Sequence, residues 1–165
     1  MAITRLGGAN AITGVIPVAN GGTGATSFAP GKVLQVVTNT HNTRFSTSST
    51  SYVAATGYTI AITPSSTSSK VFIIVSSMMD NGASGRLAYA TLYRGSTDII
   101  GDAEGIAVNT SNGGRIYTPV TLSTLDSPNT SSAVTYQVYT KCYGGAVSFN
   151  DSEGMAQLTA FEIAG

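Results

Sequence analysis

From Lys32 onward, apolar and polar positions alternate in short bursts separated by Gly-, Ser-, Asn- and Pro-rich breaks. Tyr58, Ile60 and Ile62 alternate with Thr59, Ala61 and Thr63, the period of two that marks a half-buried strand. Pro64 ends that run, and residues 65–69 read as a polar turn. Val134, Tyr136 and Val138 alternate with Thr135, Gln137 and Tyr139 in the same way. Residues 70–79 are apolar on both faces and predict a central strand covered on both sides. Shorter apolar stretches predict strands near 33–37, 86–94, 99–100, 116–122, 146–149 and 155–163. Asp80-Asn81-Gly82 is a hairpin-type turn signal, and residues 101–114 read as a Gly/Asn-rich loop. Pro119 cannot donate to a ladder, so its strand is expected at an edge or at a bulge. About eight or nine strands with no helix longer than a turn predict an all-β fold, an antiparallel β-sandwich or jelly roll.

Residues 1–31 follow a different rule. They hold seven glycines together with Pro17 and Pro30, and show no strand or helix period. Such a segment buries too little apolar surface to fold alone. Fully extended, it reaches on the order of 100 Å. Ile12, Val15, Ile16 and Val18 nevertheless need a partner surface, and Gly21, Gly22 and Gly24 leave the backbone free to follow one. The chain therefore divides into an extended attachment arm, 1–31, and a β head, 32–165.

Composition narrows the function. The chain carries 23 threonines and 20 serines, which disfavour helix, and only 10% of its residues are charged. An average soluble protein has about 25% charged residues, so this surface suits a subunit built permanently into an assembly. The net charge is zero and the eight basic residues are scattered singly, which argues against nucleic acid as a partner. No apolar run approaches the roughly 18–20 residues of a membrane span, so no membrane insertion is expected. The first eight residues carry no signal-peptide pattern. Eight tyrosines exceed what a small core needs and suit interfaces, self-association included.

Candidate chemistry is thin. A Ser-His-Asp triad would draw on His41, the only histidine, with Asp80 or Asp126, but no G-x-S-x-G elbow exists and His41 reads as a surface-loop residue. Three copies of His41 around a trimer axis are a conceivable metal or anion ring. Cys142 shares the inward register of Val134, Tyr136 and Val138 and reads as a buried, inert thiol. Asp98, Asp102 and Glu104 match no EF-hand spacing, and Asp151 with Glu153 is too common a pairing to define a glycosidase. No catalytic residue, no metal site and no cofactor is therefore assigned. Contact with a partner falls to the loops near 81–85, 109–114 and 150–154. There Asn81, Ser84, Asn109, Asn112, Asn150 and Asp151 can hydrogen-bond sugars, with tyrosine rings as stacking platforms.

Two sets of residues resemble a known family. Ile16-Pro17-Val18-Ala19-Asn20-Gly21-Gly22-Thr23-Gly24-Ala25-Thr26 is similar to an element that recurs in the shafts and attachment regions of tailed-bacteriophage fibres. Residues 33–37, 58–75 and 94–103, with Leu125-Asp126-Ser127-Pro128 and Ala133-Val134-Thr135-Tyr136, resemble the small β-sandwich heads that end many such fibres, often those of marine or cyanobacterial phages. The resemblance covers nearly the whole chain. It implies a homotrimeric jelly-roll head set on a three-chain shaft, located in the virion and made in the bacterial cytoplasm. It further implies an arm docked on other virion proteins (tail, baseplate or capsid) and a non-enzymatic head that meets host surface polysaccharide. With one arm element and no extended shaft, the chain departs from long tail fibres. That departure leaves a head fibre or capsid decoration protein as the alternative.

Overall fold

The computed structural model describes residues 31–82, 85–105, 107–110, 113–150 and 154–165. Among these there is no helix, and eleven strands form two antiparallel sheets. Sheet A contains β1 (Val33–His41), β2 (Phe45–Thr47), β4 (Lys70–Asn81), β8 (Ile116–Asp126), β10 (Val147–Phe149) and β11 (Ala156–Ile163). Sheet B contains β3 (Val53–Ile62), β5 (Leu87–Arg94), β6 (Thr97–Asp98), β7 (Ala107–Thr110) and β9 (Val134–Tyr143). The all-β antiparallel sandwich expected from the alternation is what the chain forms.

Sheet A carries a transverse break. Along one side of β4, β8 pairs without interruption from Asp126 to Ile116. Along the other side, β11 pairs as far as Gln157↔Ser76, and β10 takes over at Phe149↔Met79. β1 lies outside β11 and β2 outside β10, so each pair is one long strand interrupted at the same level. Residues 42–44, and Asn150, Gly154 and Met155, lie outside the strands there. Asn150 makes its turn at φ 59°, a left-handed conformation that Asn tolerates better than most residues, and its N–H donates to the Met78 carbonyl at 2.7 Å.

The core fills the space between the sheets. β4 sends Val71, Ile73, Val75 and Met79 inward against Ile60 and Ile62 of β3, Leu92 of β5 and Val138 of β9. The opposite face of β4 is not fully covered, contrary to the expectation for residues 70–79: Phe72, Ile74 and Met78 stay half-buried. In the ladder register, Phe72 lies opposite both Phe161 and Leu125, and Phe161 lies opposite Val36. Val36, Phe161, Phe72 and Leu125 thus form one apolar row across the outside of sheet A.

Several local expectations change. Ile99 and Ile100 are not a strand; the pairing falls two residues earlier, at β6 against Arg94 and Tyr93. The stretch 101–114 contains β7, which pairs with Leu87 to Ala90 of β5. β2 sits in a Ser/Thr-rich run without a visible period. Among the described residues β8 pairs with β4 alone and places Pro119 opposite Met78, an edge position that suits its missing N–H.

Candidate functional site

The chain enters the sandwich beside the end of β11, where the Gly31 N–H donates to the Ala164 carbonyl and the Ala164 N–H to the Lys32 carbonyl, each at 2.8 Å. The register puts Asn81, Ile116 and Val147 together at the opposite end, with the connections following β4, β7 and β9. The described residues of two candidate contact loops, 81–82 with 85 and 109–110 with 113–114, therefore belong to the end far from residue 31. Of the third, 150–154, the described Asn150 and Gly154 belong to the break in sheet A.

The individual contact residues fare differently. Ile12, Val15, Ile16, Val18, Gly21, Gly22, Gly24, Ser84, Asn112 and Asp151 lie outside the described residues, as does the side chain of Asn109 on β7. Asn81 and Asn150 are fully buried, which corrects their assignment as exposed contacts. Asn81 ends β4 between two ladder partners, and its Nδ2 donates to the Arg86 carbonyl at 2.6 Å. Asn150 donates from Nδ2 to the carbonyls of Gly154 at 3.0 Å and His41 at 3.4 Å. Each amide satisfies backbone carbonyls that a turn leaves open.

At the break, a recess of about 260 Å³ opens where Ser77 and Met78 have no strand opposite them on the β10/β11 side. Ser76, Ser77, Met78, Pro119, Asn150 and Met155 line it, with Gln157 at one side. The Ser77 Oγ and the Asn150 Oδ1 are both buried and accept no hydrogen bond from the protein.

His41 is not a loop residue. It ends β1, packs edge-on against Tyr58 with ring centroids 4.6 Å apart, and lies over Gly57, where an added Cβ would fall 2.2 Å from the imidazole. Cys142 is buried on the inward register, as expected, and burial pushes its thiol up. Asp98 braces its own loop, its Oδ1 accepting from the Thr91 hydroxyl and from the N–H groups of Ile100 and Gly101. Among the described residues, no three His, Cys, Asp or Glu side chains converge as metal ligands would.

The outer face of sheet B collects tyrosines. Tyr93 and Tyr139 stack at 3.9 Å, Tyr52 lies 6.5 Å from Tyr93, and Lys141 sits over the rings of Tyr52 and Tyr89 at 4.6 and 5.0 Å. The Lys141 ammonium also donates to the Ala103 carbonyl, so the cation tethers the 99–105 loop to this face.

Sequence reasoning missed Glu162. It shares the inward register of Leu158 and Ala160 and is 1% exposed. Burial alone would raise its pKa, but the Ser65 hydroxyl and N–H on Oε1 (2.6 and 2.7 Å) and the Gln35 amide on Oε2 (2.7 Å) outweigh it and hold the carboxyl at about 2. A depressed folded pKa gives stability that is complete above the unfolded value and lost as pH falls toward the folded one. Glu162→Gln is expected to cost about 2–3 kcal/mol at neutral pH and to flatten the loss of stability between about pH 5 and about pH 2. Urea unfolding of both proteins across that range checks it, and parallel acid limbs would refute it.

No protein-family model matches the chain, nor does any curated protein. Among solved structures, the chain is similar to a mutant VP2 protein of infectious bursal disease virus, solved as derived T=1 particles, with 12% identity and a TM-score of 0.38. That similarity spans 81% of this chain and 37% of the VP2 chain.

Proposed function

We propose that this chain is a structural protein of a bacteriophage virion: a short homotrimeric tail fibre whose residues 1–31 dock on other virion proteins and whose β-sandwich projects outward to meet host surface glycan. The fibre-like residues 16–26 support the phage assignment. The structural observation that carries the reading is the apolar row on sheet A. Val36 and Leu125 are 52% and 54% exposed, with Phe72 and Phe161 between them and the exposed Val33 and Leu34 beside them. This row lies at the end of the sandwich where residue 31 enters, so copies that associate there also bring their Gly31 residues to the same end. An apolar strip on an otherwise Ser/Thr-rich surface marks an association site.

The full chain is expected to be a trimer by light scattering. A Val36→Asp/Leu125→Asp double variant is expected to run as a monomer with an unchanged circular dichroism spectrum, because each carboxylate would be buried unpaired at the contact. A monomeric wild-type chain overturns the architecture. Location is tested by immunogold electron microscopy of virions with antibody against residues 32–165. Gold on the tail supports the fibre reading, gold on the capsid replaces it with a decoration protein, and label at neither refutes a virion role.

A further inference from the structure

Sheet A ends on two open edges. Among the described residues, β1 pairs only with β11 and β8 only with β4, so each presents one side of its backbone with no ladder partner. The burial pattern agrees. The inward residues of β4 and β11 are buried, Val71, Ile73, Val75, Leu158 and Ala160 among them. Those of the edge strands are more open: Gln35, Val37 and His41 on β1, with Val120 and Thr124 on β8, stay half-buried. Gln35 and Asn39 donate side-chain bonds to the Thr63 and Thr59 carbonyls, which steadies β1 without using its own backbone groups. Proteins usually blunt such edges with lysine, proline or a bulge. Residues 35–41 and 120–126 carry none of these, and their one carboxylate, Asp126, is held by Arg94 at 3.0 Å. The blunting devices stand at the borders instead: the register shift of β1 lies between Val33 and Gln35, and Pro119 comes just before Val120.

The two edges fit each other. β1 runs antiparallel to β11, β11 to β4 and β4 to β8, so β1 and β8 point in opposite directions. Rotation about an axis along the strands keeps those directions, so β8 of one copy meets β1 of the next as an antiparallel partner. The apolar row supplies the register. Val36 and Leu125, its two most exposed members, stand at opposite edges, so neither covers the other within one copy. Setting them opposite each other between copies places Thr38 against Ser123 and Thr40 against Thr121 on the same face. Apolar then meets apolar and hydroxyl meets hydroxyl, the pairs that stabilise a ladder. The pairing starts at Gln35 against Asp126, just past the bulge, and stops at His41 against Val120. Pro119 would face residue 42, where β1 has already ended. We infer that copies of this chain join edge to edge, β8 of each adding along 120–126 to residues 35–41 of the next, so that sheet A runs on through a closed trimer. The contact is head-to-tail, and closing the ring leaves neither edge open. This inference deepens the trimer proposed above and rests on it.

The test is oxidative cross-linking of the full-length chain, read on a non-reducing denaturing gel. Facing residues of an antiparallel ladder stand about 4.5–5.5 Å apart at Cα, within reach of a disulfide. Within one copy, Thr159 and Ile74 separate Thr38 from Ser123, about 14 Å of sheet, so no bond forms internally. A Thr38→Cys/Ser123→Cys variant is expected to run mostly as a covalent trimer. Each single variant is expected to stay uncross-linked, because a head-to-tail contact never brings two copies of one position together. Wild type is expected to stay uncross-linked too, since Cys142 is buried. Dimers from either single variant would show like edges meeting and overturn the pairing. A trimer by light scattering whose double variant fails to cross-link refutes the edge pairing and keeps the trimer. A monomeric chain refutes both, and a covalent ladder longer than a trimer overturns the closed ring.

Discussion

Replacing Tyr58 by alanine is expected to remove about 3–5 kcal/mol of folding stability, and replacing it by phenylalanine about 1–2 kcal/mol. Tyr58 belongs to sheet B, yet it reaches across the core into the break of sheet A and is fully buried there. Its ring meets Phe149 edge-on at 5.0 Å and His41 at 4.6 Å, residues that end β10 and β1. Its hydroxyl donates to the Thr43 carbonyl and lies 3.4 Å from that of Phe149. One side chain therefore supplies a donor beside the point where two strands are interrupted. The alanine variant loses the ring and opens a cavity between the sheets. The phenylalanine variant keeps the packing and removes the donor from the Thr43 carbonyl, so its effect should concentrate near residues 42–44 and 150. Urea denaturation gives the two magnitudes, and hydrogen exchange locates the second. Tyr58→Phe with unchanged stability and exchange would mean that the hydroxyl does not hold the break together.

The sequence makes the sandwich visible because a half-buried strand writes its own period. β3 and β9 follow that period, with Tyr58, Ile60 and Ile62 buried on one and Tyr136 and Val138 on the other. Pro119 announced an edge strand for a similarly local reason, its missing N–H. The break is set by distant partners instead. β2 is three residues long and exists because Phe45 and Thr47 face Phe149 and Val147, about a hundred residues away. Asp80-Asn81-Gly82 has the composition of a turn, but Asp80 and Asn81 continue β4 because β8 and β10 flank them on both sides. Nothing in the sequence singles out Glu162, and only the fold reveals the Ser65 and Gln35 donors that make its inward position tolerable. The recess needs residues 76–78, Pro119, Asn150, Gly154, Met155 and Gln157 at one point, which no short-range pattern encodes. Asn150 was legible as a residue of interest and misread as a surface contact.

Removing both arginines that face Asp80 is expected to destabilise the fold by about 3–5 kcal/mol, far more than either single replacement. Asp80 is 1% exposed. Arg115 reaches it with two bonds, Nε to Oδ1 at 2.9 Å and Nη2 to Oδ2 at 2.7 Å. Arg44 adds a third from Nη2 at 3.3 Å and also donates from Nε to the Ser148 hydroxyl at 2.7 Å. The arrangement is asymmetric, because the arginines are 44% and 46% exposed and return to water readily, whereas the carboxylate cannot. Arg44→Ala or Arg115→Ala alone leaves one cation in place and is expected to cost about 1 kcal/mol, the scale of a half-exposed ion pair. The double variant leaves a buried charge with neither of its cations, so the costs should exceed additivity by about 1–3 kcal/mol in a double-mutant cycle. Asp80→Asn in the double-variant background should recover part of the loss, since the neutral amide no longer needs a cation. Additive single effects, or no recovery by Asp80→Asn, would mean that water reaches Asp80 once the arginines are gone and that the buried carboxylate is not what holds β4, β8 and β10 together at this end.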